Sequence, residues 1–131
     1  MNSLVYSFEY SNEYEPPAPI LEIGISLPRQ DQPNLFINGL IDSGSDGTMV
    51  PITFLESIGA KPVGRGRIRG ILGNSQSANI YLVKLYLKHQ QIHAIRVIGV
   101  GDNDECLIGR NVLRHLVITL NGLAGITEIS S

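Results

Sequence analysis

The sequence predicts an all-β fold, a single-domain closed β-barrel with one or two short helices. Three observations predict it. Short apolar runs of strand length recur along the whole chain, many of them alternating with polar residues. Glycine and proline, 14 and 7 of the 131 residues, punctuate those runs at short intervals. Helical start and stop signals occur only at Ile52 to Ile58, between Pro51 and Gly59, and at the segment that opens on Gly109. Many short strands with few helices are best satisfied by closing the sheet, which leaves few unpaired edges.

Composition narrows the function. A chain of 131 residues is one domain's worth and buries enough surface to fold without staples. The single cysteine, Cys106, excludes an internal disulfide and is expected to pack as a small buried hydrophobe. Ten basic against twelve acidic residues leave a net charge of −2, which argues against a nucleic-acid partner. No apolar run approaches the ~20 residues of a membrane span, so no membrane association is expected. The start Met1-Asn2-Ser3-Leu4-Val5-Tyr6 lacks the basic-then-apolar pattern of a signal peptide, and a cytoplasmic location is expected.

In chain order, Leu4 to Tyr10 has strand composition and is followed by Pro16-Pro17-Ala18-Pro19, which cannot continue a helix or a central strand. Residues 1–17 are therefore expected to form an N-terminal arm and proline-rich linker, and 18–131 the folded domain. The arm is either a frayed tail or a strand that pairs at a subunit interface. Ile20 to Leu27 and Asn34 to Ile41 alternate around a Pro28 to Pro33 turn and form a hairpin. Thr48 to Val50 is a short strand before the first helix. From Gly64 to Gly73 the chain places Arg65, Arg67 and Arg69 at period two on one strand face. Such a face is a solvated hairpin surface, a contact for an acidic substrate, or a polyanion site.

Asn79 to Lys88 and Gln91 to Gly99 read as two core strands joined by a tight turn. His89 and His93 beside that turn, even with Cys106, do not have the spacing of a zinc motif, and no metal or other cofactor is expected. Gly101 to Glu105 is acidic but lacks the calcium-loop pattern. Cys106 to Ile108 is a strand, and Leu116 to Leu120 with Ile126 to Ile129 forms a closing hairpin through an Asn121-Gly122 turn.

The chemistry gathers at Leu40-Ile41-Asp42-Ser43-Gly44, where two apolar strand residues run into an acid, a hydroxyl and a glycine. Alone, Asp-Ser-Gly is ordinary turn chemistry. Together with Leu107-Ile108-Gly109-Arg110-Asn111-Val112-Leu113, the closing strand Val117 to Asn121 and the glycine-bearing Ile68 to Asn74 between them, it is distinctive. This arrangement resembles the retropepsin-like aspartic proteases, the group that includes the retroviral proteases, over roughly residues 18 to 121. The commoner triplet has threonine where Ser43 stands, and the retroviral flap is richer in glycine.

The resemblance implies an aspartic endopeptidase with Asp42 as the catalytic acid. Ser43, Gly44, Asp46 and Arg110 would support the active site, with Asp46 and Arg110 as a bracing pair. Gly70, Ile71, Leu72 and Gly73 would form a substrate-binding flap. Such chemistry needs two carboxylates sharing a proton, and only one Asp-Ser-Gly is present, so a homodimer acting on a peptide or protein substrate is implied. Ile41, Val50, Ile71 and Leu72 are candidate pocket walls. Two alternatives remain: the same fold as a catalytically silent peptide-binding or dimerisation module, and a polyanion-binding barrel using Arg65, Arg67 and Arg69.

Overall fold

The computed structural model describes residues 5–69, 73 and 75–130. Its elements are β1 (Val5–Glu9), β2 (Ile20–Ser26), β3 (Leu35–Ile41), β4 (Thr48–Pro51), α1 (Ile52–Ser57), β5 (Pro62–Arg69) and β6 (Ser75–Leu87), followed by β7 (Gln90–Val100), β8 (Leu107–Ile108), α2 (Arg110–Leu113), β9 (Val117–Asn121) and β10 (Ile126–Ser130). The fold is all-β with two short helices.

Six strands close on themselves. The order β2-β3-β8-β4-β7-β6 returns to its start because β2 pairs with β6 as well as with β3, and β5 is added outside on β6. Closure occurs at Gly24 to Ser26 against Lys84 to Tyr86. Strands β3 and β8 run parallel, as do β4 and β7, which brings the C-terminal ends of β3 and β8 side by side. Both chemistry-bearing turns, after Ile41 and after Ile108, leave the ring at that place.

Double pairing explains why β2 is buried almost throughout, although its sequence alternates. Leu21, Ile23 and Ile25 fill the ring interior. Gly24 and Ser26, on the other face, are covered by the returning loop and by Tyr86. A side chain at Gly24 would meet Pro33 Cβ at 2.8 Å, and Ser26 Oγ lies 2.8 Å from Tyr86 Oη. Lys84, buried at the register shift of β6, donates Nζ to the Gln30 carbonyl at 3.1 Å and ties the same loop down.

Three boundaries differ from the sequence expectations. β6 starts at Ser75 instead of Asn79, because its exposed first half pairs with β5 down to Arg69 opposite Ser75. Residues 5–9 do not lie in an arm outside the domain: β1 pairs with β10 from Val5↔Ser130 to Glu9↔Ile126, and Tyr6 joins the core. A bridge between Ser11 and Ala18 then folds the proline-rich segment back on itself. The closing hairpin is not a two-residue Asn-Gly turn. Ile126 pairs with Asn121, leaving residues 122–125 as the loop; Ala124 N donates to Asn121 Oδ1 at 3.1 Å, and Gly125 takes the positive φ of 67° that favours glycine.

Candidate active site

The turn after β3 is held from three sides. Asp42 N donates to the Ile108 carbonyl at 3.0 Å, continuing the β3–β8 pairing one residue past the strand. Within the turn, Gly44 N donates to Asp42 Oδ1 at 2.9 Å and Ser45 N to the Asp42 carbonyl at 3.2 Å. This Asx turn fixes the carboxylate and leaves Oδ2 for other partners. A Cβ on Gly44 would stand 3.2 Å from Asp42 Oδ1, so glycine keeps the approach open.

The third side is the start of α2. Arg110 N donates to the Ser45 carbonyl at 2.8 Å, and Arg110 Nη1 to the Ser43 carbonyl at 2.8 Å. The guanidinium thus braces the Asp42 turn through Ser43 instead of reaching the Asp46 carboxylate. Gly109 lies against the same turn so closely that a Cβ there would be 2.1 Å from the Gly47 carbonyl oxygen. Only glycine fits at that position.

Two residues for which no role was expected complete the frame. Thr48, fully buried, accepts a hydrogen bond from Gly109 N at 3.0 Å and donates to Asn111 Oδ1 at 2.8 Å. Asn111 Nδ2 then donates to the Arg96 carbonyl on β7 at 2.9 Å. The available signal was local: a hydroxyl residue directly before the apolar Met49-Val50 pair, and an asparagine directly after Arg110.

Asp42, half-buried, opens into a cleft of about 1000 Å³. Gly44, Asp46 and Arg110 share the cleft, Met49, Ile98 and Leu107 supply apolar wall, and Arg67, Ile68 and Ser75 line it from the β5–β6 hairpin. The structure therefore brings Asp42, Gly44, Asp46 and Arg110 together, with Ser43 exposed at the turn. Of the expected pocket walls, Val50 is instead fully buried, because alternation along β4 turns it into the ring and Met49 toward the cleft. Ile41 is half-buried and outside the cleft lining. Gly70, Ile71 and Leu72 lie outside the described residues, whereas Gly73 has a positive φ of 81° suited to a turn between β5 and β6.

Away from the cleft, Cys106 is buried, and burial pushes its thiol up to about 12. His89 packs edge-on against Tyr6 with ring centroids 5.3 Å apart. Among the described residues no group of three His, Cys, Asp or Glu side chains is placed to hold a metal ion. Among the described residues no helix is long and apolar enough to cross a membrane.

No protein-family model matches the sequence, and no curated protein matches it. Solved structures do. A retropepsin-like aspartic protease from Rickettsia conorii superposes with a TM-score of 0.69 at 11% identity, covering 98% of this chain and 92% of its own. EIAV protease complexed with the inhibitor HBY-793 superposes with a TM-score of 0.52 at 18% identity, covering 82% of this chain and 93% of its own. The chain has the retropepsin-like fold over nearly its whole length.

Proposed function

We propose that this chain is a homodimeric aspartic endopeptidase, hydrolysing peptide bonds with a water activated by two Asp42 carboxylates, one from each subunit. The observation that carries the proposal is the position of Asp42: a half-buried carboxylate, fixed by Gly44 N, at the floor of a cleft of about 1000 Å³. That volume is at the upper end of ordinary ligand sites and suits an extended peptide. Both structural neighbours are proteases by name, which supports the same chemistry here.

Two carboxylates roughly 3 Å apart cannot both ionise, so the pair holds one proton. The ionised Asp42 takes a proton from water as the water oxygen bonds to the peptide carbonyl carbon. The protonated Asp42 hydrogen-bonds the carbonyl oxygen and stabilises the charge that develops there. A proton then passes to the amide nitrogen, the C–N bond breaks, and the products are an acid and an amine.

A second copy is needed because Asp46, the nearest other acid, is exposed four residues further on and lacks the turn that fixes Asp42. The open edge of β9, with Val117 and Leu120 exposed, offers surface for that copy. In the dimer the Ser43 hydroxyl bonds across the two-fold axis and stiffens the pair. The Gly44 carbonyl receives the substrate backbone. Arg110 braces the floor through the Ser43 carbonyl, with Asp46 beside it in the cleft lining, and the substrate lies along that floor as an extended strand.

The test is cleavage of a mixed peptide library between about pH 4 and 7, comparing the native chain with Asp42→Asn at several protein concentrations. Asparagine keeps the oxygen that Gly44 N bonds but cannot accept a proton. Cleavage that rises faster than linearly with concentration and vanishes in the variant is expected. A folded native dimer that cuts nothing would sink the proposal.

A further inference from the structure

We infer that the cleft selects peptides bearing a carboxylate side chain, and that Arg67 is the residue that selects them. The inference rests on the reading of the cleft as a peptide site. Arg65 and Arg67, two residues apart on β5, share a strand face, yet they are placed differently. Arg65 spreads its guanidinium along β6, with Nε and Nη2 donating to Ser77 Oγ at 2.9 and 2.6 Å and Nη1 to Asn79 Oδ1 at 3.0 Å. It faces a smaller cavity of about 260 Å³ that also contains Asp104. Arg67 instead lines the cleft that contains Asp42.

Among the described residues, Arg67 makes one side-chain hydrogen bond, from Nη1 to Ser75 Oγ at 3.0 Å. A hydroxyl orients the guanidinium without neutralising it. An arginine has five N–H donors in a planar fork that matches a carboxylate, and among the described residues most of that capacity is unused where Arg67 lines the cleft. Among the described residues the other charged groups in the cleft are Asp42, Asp46 and Arg110, and Arg110 is engaged by the Ser43 carbonyl. Two acids near the floor discourage a substrate carboxylate there. Arg67 draws it to the hairpin side, where Ile68 supplies apolar contact for the side-chain stem.

An extended peptide sends alternate side chains to opposite sides, so only every second residue meets the hairpin. In a two-fold dimer the axis that relates the two Asp42 residues also relates two copies of Arg67. The acidic preference should therefore appear at equivalent positions on both sides of the scissile bond.

The experiment uses matched peptides with Glu, Gln or Lys at each position around a cut site. Cleavage is measured with the native chain, and binding with the Asp42→Asn variant, followed by fluorescence anisotropy. A preference of roughly five- to tenfold for Glu over Gln is expected at one position on each side. Arg67→Gln should abolish the preference, Arg67→Glu should shift it to Lys, and Arg65→Gln should leave it intact. Acid-selective binding without cleavage would overturn the endopeptidase reading and keep this one. Cleavage or binding indifferent to charge, a preference that survives Arg67→Gln, or no binding of any peptide would overturn this inference.

Discussion

Thr48 Oγ1 donates to Asn111 Oδ1 at 2.8 Å, joining two residues 63 apart in sequence through a hydroxyl that solvent does not reach. The same oxygen accepts from Gly109 N at 3.0 Å, so a single side chain fixes β4 to the start of α2. Arg110 and the Asp42 turn hang on that joint. Thr48→Val keeps the shape and removes the hydroxyl, leaving Gly109 N and Asn111 short of partners. Urea unfolding should show a loss of about 2–3 kcal/mol, and Thr48→Ser should restore most of it. Unchanged stability in the valine variant would mean that water or a shift of Asn111 replaces the bond.

Gly109 should tolerate no substitution. An added Cβ would lie 2.1 Å from the Gly47 carbonyl oxygen, a backbone atom that cannot rotate away. Relief requires the turn from Ser45 to Gly47 and the first turn of α2 to separate, which also breaks the Arg110 N to Ser45 carbonyl bond. Gly109→Ala is expected to cost about 3 kcal/mol and to reduce any Asp42-dependent activity beyond what the lost stability explains. Thermal unfolding and activity below the transition separate the two effects.

What the sequence made legible was local. Asp42, Gly44, Arg110 and the strand-turn order around them could be found because each motif lies within a few consecutive residues and two such motifs occur in a particular order. The Thr48 to Asn111 bond was not legible, since nothing in either segment indicates its partner. Met49 and Val50 show the same limit. Alternation says that they face opposite sides, but only the parallel pairing of β4 with β7 decides which side is the cleft. β1 was misplaced because strand propensity cannot reveal that β10 is available to pair with it. The burial of Lys84 depends likewise on a loop that reaches it from 54 residues away.

Thr127, on β10, presents a simpler test. Its side chain is fully buried, and its hydroxyl has no hydrogen-bond partner among the described residues. A hydroxyl in that state costs desolvation with no return, while valine fills nearly the same volume without a polar atom. Thr127→Val should therefore stabilise the protein by about 1 kcal/mol, raising the urea midpoint with no change in slope. A destabilised variant would show that the hydroxyl has a partner after all.

The Cys106 thiol gives the protein an alkaline limit whose sign can be worked out. Burial raises the folded pKa from 9.0 to about 12, so between those values the unfolded chain has lost a proton that the folded chain keeps. The unfolded state then binds fewer protons, and stability falls as pH rises. The contribution is fully present below about pH 9 and is lost progressively toward pH 12, with a slope of at most about 1.4 kcal/mol per pH unit. Tyr6, whose phenol burial also raises from 10.0, acts in the same direction. Cys106→Ala should thus have a shallower decline above pH 9 than the native chain, even where the lost side chain lowers its stability at neutral pH. At pH 8 the native thiol should also resist iodoacetamide until the chain unfolds, because thiolate is the reactive form and burial suppresses it. Rapid labelling of folded protein, or parallel alkaline declines in the two proteins, would show that Cys106 titrates as an exposed thiol does.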